Sequence, residues 1–308
     1  MSSKIHVAVL LGGWSSEREV SLASGKACSG ALERAGYRVS QLDPSRDIAS
    51  ELKKLSPDVV FNALHGTWGE DGTVQSILET LLIPYTHSGV LASALAMNKA
   101  VARSLFEKHG VPVAEGMLVS REEAARRHVI QPPYVIKPNS GGSSVGVFIV
   151  TKDDEFPPAE LLSIDWSLGE DVLVEAFVPG RELACAVIGN TALGIIDIVP
   201  ADGFYDYKAK YAPGGSNHIL PANIKPNIYL HIQKLALEAH KSLGCRGVSR
   251  ADFRFDDGPD GSGELVCLEV NTQPGMTQTS LVPELAAHAG YSFERLVSWM
   301  VEDASCRR

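Results

Sequence analysis

Three short apolar runs separated by helix-period stretches constrain this chain more than any other feature. IHVAVLL (5–11), YRVSQLD (37–43) and DVVFNAL (58–64) read as buried strands, with helical patterns at about 17–35 and 48–54 between them. A helix that carries the chain back across a sheet makes successive strands parallel, so the expected start is a parallel α/β layer. At 308 residues the chain exceeds what one core serves, and two or three domains follow.

TVQSILETL and IPYTHSG lead into a helical stretch at 90–109, closed by Gly110 with Pro112 just beyond. Strands are expected at 134–138, 145–151 and 171–178, with the loop NSGGSS between the first two. Further strands fall at 183–188, 193–199, 248–256 and 264–270, and helices at about 226–243 and 280–303. The polar stretch 203–218 is too long for a connector. This divides the chain at 1–95, 96–180 and 181–308.

No apolar run approaches the ~20 residues that cross a bilayer, and MSSKIHVAVLLGG lacks an export cleavage pattern. The five cysteines are odd in number and widely spaced, which points to reduced thiols in a cytoplasm. With 28 basic against 37 acidic residues and no Lys/Arg block, neither a nucleic-acid surface nor a membrane partner is expected.

The chemistry concentrates in two strands. In RADFRF (250–255) alternation puts Arg250, Asp252 and Arg254 on one side, with Ala251, Phe253 and Phe255 in the core. In LVCLEVN (265–271) it puts Glu269 and Asn271 on one side, with Val266, Leu268 and Val270 on the other. The link holds DDGPDGSG, so the two runs form a hairpin and cross-strand neighbours stand roughly 5 Å apart. Two carboxylates at that distance require a positive partner. An ion-pair ladder with Arg250 and Arg254 would satisfy them. So would Mg2+, which takes oxygen ligands and commonly shares them with phosphate.

YVIKPNSGGSSVGV places Lys137 at a strand end before glycines and serines whose bare amides can surround phosphate oxygens. The order differs from a Walker A loop, in which the lysine follows the glycines and a helix begins. The segment reads either as a flap over a nucleotide or as a flexible hairpin with an exposed lysine. LLGGWSSEREVSL lacks the later glycines of a dinucleotide fingerprint. Glu17 fits the first turn of its helix by dipole alone, and His65 fits an ordinary loop position.

Taken in order, LLGGWSSEREVSLASG, NALHGTWGEDG, VIKPNSGGSSVGV, YDYKAKY, GVSRADFRFD and LEVNTQPGMTQTSLVP resemble the D-alanine:D-alanine ligase family of the ATP-grasp superfamily over nearly the whole chain. The resemblance implies an α/β (α+β ATP-grasp) fold, in which a parallel α/β domain precedes two lobes that enclose ATP. It implies ATP contacts at Lys99, Lys137, Ser143, Ser144 and Lys210. The adenine side would be Glu175, Phe177, Val178 and Glu182, and Asp252, Glu269 and Asn271 would bind two Mg2+ (or Mn2+).

For the two D-alanine substrates it implies that Glu17 pairs with the first ammonium, with His65 nearby. Arg250 and the Gly275 amide would stabilise the oxyanion, and Ser280, beside Leu281, would hold the second carboxylate. The loop 203–218 would be a lid, with Lys210 at the transferred phosphoryl group and Tyr211 bonding towards Ser143 and Glu17. The implied role is dipeptide supply to peptidoglycan in the cytoplasm by a homodimer. Related ligases take D-lactate or D-serine second, and Tyr211 favours D-alanine. The chain departs from the family at NSGG (139–142) and at the loop tip TW, where Trp68 receives no role.

Overall fold

The computed structural model describes residues 4–142, 144–200, 215–258, 262–277 and 279–307. Ser143, Lys210, Tyr211 and most of the expected 203–218 lid lie outside the described residues.

The first sheet has the order β2-β1-β3, built from β1 (His6–Leu10), β2 (Arg38–Leu42) and β3 (Val59–Asn62), all parallel. β1 is buried along its whole length because both faces are covered. Val7 and Val9 pack towards α1 (Arg18–Arg34), while Ala8 and Leu10 pack towards α2 (Ile48–Leu55) and α3 (Thr73–Leu81). The turn out of β1 needs left-handed backbone at Gly12 (φ 80) and Gly13 (φ 70), which only glycine adopts at little cost.

The helical stretch expected at 90–109 is two helices, α4 (Val90–Met97) and α5 (Lys99–Lys108). Asn98 breaks it: its backbone is extended (ψ 100) and its Oδ1 accepts the Val101 amide at 3.1 Å, capping the second helix. A four-stranded antiparallel sheet follows in the order β4-β7-β5-β6, from β4 (Gly116–Ser120), β5 (Tyr134–Pro138), β6 (Phe148–Val150) and β7 (Asp171–Ala176). β6 is shorter than the expected 145–151. β4 and the helix after it, α6 (Arg121–Arg126), are elements that the sequence reading did not assign. This sheet has a core of its own around Tyr134, Ile136, Leu161, Val172 and Val174.

The third sheet, order β10-β9-β8-β11-β12, comprises β8 (Arg181–Ile188), β9 (Thr191–Pro200), β10 (Ser216–Ile219), β11 (Val248–Phe255) and β12 (Leu265–Asn271). Part of the expected lid, from Ser216 onward, is therefore strand. One face carries α7 (Pro226–Ser242) together with α5. The other carries α8 (Leu281–His288), which shares a core with β1, β3, α1 and the last helix, α9 (Phe293–Asp303). The expected helix at 280–303 is broken at Gly290 (φ 89), and Ser292 caps α9 by accepting the Arg295 amide at 3.2 Å.

β11 and β12 form the expected hairpin, but the register shifts between Asp252 and Phe253: Asp252 faces Glu269, whereas Phe253 faces Cys267. Leu268 is the extra residue of a bulge. It packs with Val266, Ala114 and Val178, while Cys267 joins Val270 in the core of α7, so strict alternation misplaced both Val266 and Leu268 relative to Val270.

Candidate active site

Two adjoining cavities lie where the three sheets meet. Glu17, His65, Arg250, Asn271, Gly275, Ser280 and Leu281 line the first. Lys137, Ser144, Glu175, Phe177, Val178, Glu182 and Asp252 line the second. Lys99 and Glu269 line both, as do Gly141 and Gly142 of the glycine loop. The residues expected at the amino acids and those expected at the nucleotide are thus sorted into neighbouring chambers.

In the first chamber, Glu17 stands just before α1 and is 8% exposed. Ser15 fixes this approach: its hydroxyl donates to the His65 carbonyl at 2.5 Å and accepts from the Glu17 amide at 3.2 Å. The buried His65 ring lies 2.9 Å from Glu70 through Nδ1 and 3.2 Å from Ser24 through Nε2. Ser24 also accepts the Met276 amide at 3.2 Å, and the Asn62 side chain donates to Gln273 at 2.7 Å. These bonds tie the 271–277 turn to the first sheet. Ser280 precedes α8, and its hydroxyl accepts the Thr277 amide at 3.0 Å. A Cβ at Gly275 would stand 2.9 Å from that hydroxyl, so glycine gives the turn its clearance.

In the second chamber, Lys137 on β5 and Glu175 on β7 share a face, because Glu175 lies opposite Val135, two residues before Lys137. The Lys137 ammonium pairs with Glu175 Oε2. The glycine loop is anchored from α5: the Lys99 ammonium donates to the Gly141 carbonyl at 2.6 Å, and the Lys99 amide donates to the Asn139 carbonyl at 2.9 Å. Asn139 Oδ1 also accepts the Ala100 amide at 3.0 Å. On the far wall the Arg254 guanidinium lies 5.7 Å from the centre of the Phe177 ring, donates to the Val178 carbonyl at 3.0 Å, and stands 3.7 Å from Glu182.

Between the chambers, Asp252 and Glu269 are direct cross-strand partners, and Arg250 faces Asn271. Arg250 donates to both Asp252 oxygens, at 2.7 and 2.8 Å. One half of the ion-pair alternative is therefore present, while Arg254 turns to Glu182 instead. Burial first, then the charges of Asp252 and Glu269, push the Cys267 thiol far up, so negative potential reaches behind the strands. No group of three or more His, Cys, Asp and Glu side chains is placed to hold a metal ion by itself among the described residues. Two carboxylates and a carboxamide fit Mg2+, which keeps coordination positions for phosphate oxygens and water.

Family models for the D-ala D-ala ligase N-terminus and C-terminus match residues 40–88 and 105–302. The chain belongs to the D-alanine–D-alanine ligase family. A D-alanine–D-alanine ligase of Xanthobacter autotrophicus is 66% identical over 304 residues, covering 98% of this chain and 99% of that protein. One from Parvibaculum lavamentivorans is 62% identical over the full length of both. Among solved structures, a D-alanine–D-alanine ligase from Bacillus anthracis complexed with ATP superimposes with a TM-score of 0.80, at 29% identity and 97% coverage of each chain.

For this family member, sequence reading left out Arg103, whose Nη1 donates to Glu175, and Glu70, the partner of His65. A signal for Arg103 existed. It lies one residue after Ala102 and three before Phe106, on the stripe of α5 that enters the core. A cation on a buried stripe requires a partner. Trp68 lies against Trp14 with ring centres 4.0 Å apart and planes tilted by 41°, and Arg46 lies 4.1 Å from the Trp14 centre.

Proposed function

We infer that this chain joins two D-alanine molecules into a dipeptide at the expense of ATP. The observation that carries this reading is the pair of chambers sharing Lys99, Gly141, Gly142 and Glu269. A nucleotide in the second chamber would direct its terminal phosphate at an amino acid in the first.

In this mechanism the carboxylate of the first D-alanine, oriented through its ammonium by Glu17, attacks the γ-phosphorus. The bond to the ADP oxygen breaks, giving an acyl phosphate. The amine of the second D-alanine, its carboxylate held at Ser280 and the start of α8, attacks the acyl carbon. The carbon–oxygen bond to phosphate breaks and the nitrogen gives up a proton. Arg250 and the Gly275 amide stabilise the intermediate oxyanion, as preorganised donors do. Lys137 and Lys99 bind phosphate oxygens, and Phe177 and Val178 flank the base. Asp252, Glu269 and Asn271 would hold two Mg2+ or Mn2+, which supply charge neutralisation on the phosphates. Water must be kept from the acyl phosphate. Ser143, Lys210 and Tyr211 keep the lid roles that the family likeness implies.

The likeness also supports a cytoplasmic homodimer acting in peptidoglycan supply. Four of the five cysteines, all free, are buried, which suits a reducing compartment. No described helix is long and apolar enough to cross a membrane.

The deciding experiment measures phosphate release from ATP across D- and L-amino acids, with D-lactate and D-serine competing. D-alanine-dependent release with dipeptide product is expected. Release indifferent to D-alanine, nucleotide binding without release, or mainly D-lactate or D-serine product would each overturn this assignment.

A further inference from the structure

Arg103 is 8% exposed and lies outside both cavity linings. It nevertheless reaches the second chamber from behind. Its Nη2 donates to the Ala114 carbonyl at 2.7 Å, and its Nη1 donates to Glu175 Oε1. Glu175, 4% exposed, lines that chamber, and its other oxygen pairs with Lys137.

The opposite strand is shaped to the same carboxylate. Gly116 faces Glu175, and a Cβ there would stand 3.0 Å from Glu175 Cγ and 2.4 Å from the Val174 carbonyl oxygen. Glu175 is thus gripped through Oε1, cleared on one side by a glycine, and presents Oε2 beside an apolar slot walled by Val135, Ile149, Phe177, Val178 and Leu268. A flat base fits between such walls, and a carboxylate at its edge accepts from an exocyclic amino group while opposing an oxo group.

Without Arg103, a buried carboxylate with one cationic partner left would turn fully onto Lys137. That rotation would withdraw the acceptor from the base and the lysine from the phosphates.

We propose that Arg103 is the positioning residue for nucleobase selection: by clamping Glu175 to the Ala114 carbonyl, it makes the chamber accept a 6-amino purine and refuse a 6-oxo purine. This rests on the nucleotide reading given above.

The test compares ATP with ITP in D-alanine-dependent phosphate release. The parent enzyme prefers ATP. Arg103→Met raises KM for ATP and lowers the ATP-over-ITP preference in kcat/KM, each by about tenfold or more, as expected for a lost buried hydrogen bond. The kcat at saturating ATP falls by less, and KM for D-alanine stays put. Arg103→Lys keeps the charge but not the fork, and recovers part of the preference. Gly116→Ala crowds Glu175 with Arg103 intact and also lowers the preference.

A parent enzyme that does not distinguish ATP from ITP overturns the inference. So does Arg103→Met with a lower melting temperature but unchanged KM and preference. If Arg103→Met does not fold, unchanged preference in both Arg103→Lys and Gly116→Ala is decisive against it. Failure of the underlying reading shows elsewhere, as a parent enzyme with no D-alanine-dependent release from any nucleotide.

Discussion

His240 on α7 is 2% exposed, with Nδ1 2.7 Å from the Ser249 hydroxyl. Burial pushes its imidazole down to about 4, whereas in an unfolded chain it titrates near 6.5. The unfolded state therefore takes up a proton first as the medium is acidified. Stability from the neutral ring is fully present above pH ~6.5 and is lost as the pH falls from there to ~4, by about 3 kcal/mol in all. His240→Gln should flatten this dependence: urea midpoints at pH 5 and pH 7.5 should differ less in the variant than in the parent. Equal differences would show that the acid sensitivity lies elsewhere. Residues that line the chambers were legible where a motif carried them, as at Lys137, Asp252 and Glu269. Arg103 was not, because linear reading treats a charged residue on a helix as solvated. Only the fold brings the Glu175 carboxylate to it.

For the elements, the apolar runs of β1, β3, β5 and β8 were readable because each is buried at nearly every position, and a run needs no partner to be seen. The break at Asn98 and the bulge at Leu268 were not. Each depends on local hydrogen bonding that leaves the apolar period almost intact. The seat of α1 shows how tightly such elements are set. Gly25 lies on its inner face, and a Cβ there would stand 2.3 Å from the Leu11 Cβ. Alanine would improve helix propensity by about 1 kcal/mol, but a clash between backbone-fixed atoms costs about 1–3 kcal/mol. Gly25→Ala should therefore be less stable in urea unfolding. It should also show a raised KM for D-alanine, since Glu17 stands just before α1. A stability gain with unchanged KM would show that α1 has room to slide.

On the scale of the whole molecule, the second chamber takes one wall from the four-stranded sheet, at Lys137 and Glu175, and the other from the five-stranded sheet, at Asp252, Arg254 and Glu269. A nucleotide that touches both walls binds only the folded chain. At one hundred times its dissociation constant it adds about 2.7 kcal/mol, which for a chain of this length corresponds to a rise in melting temperature of about 4 °C. Thermal scans with ATP and Mg2+ should show that rise, and D-alanine alone should show less. No shift with nucleotide would argue against a site spanning both sheets.

The core shared by Val7, Val9 and Phe61 with Ala184, Val248 and Leu281 bears on how the chain can be divided. Residues at the two ends of the sequence complete one another's interior, so the leading segment could not be transplanted as a portable module. Severed from its distant half, it would present that oily flank to water and clump. The four-stranded sheet, with an interior of its own, is the piece better suited to swing as a unit.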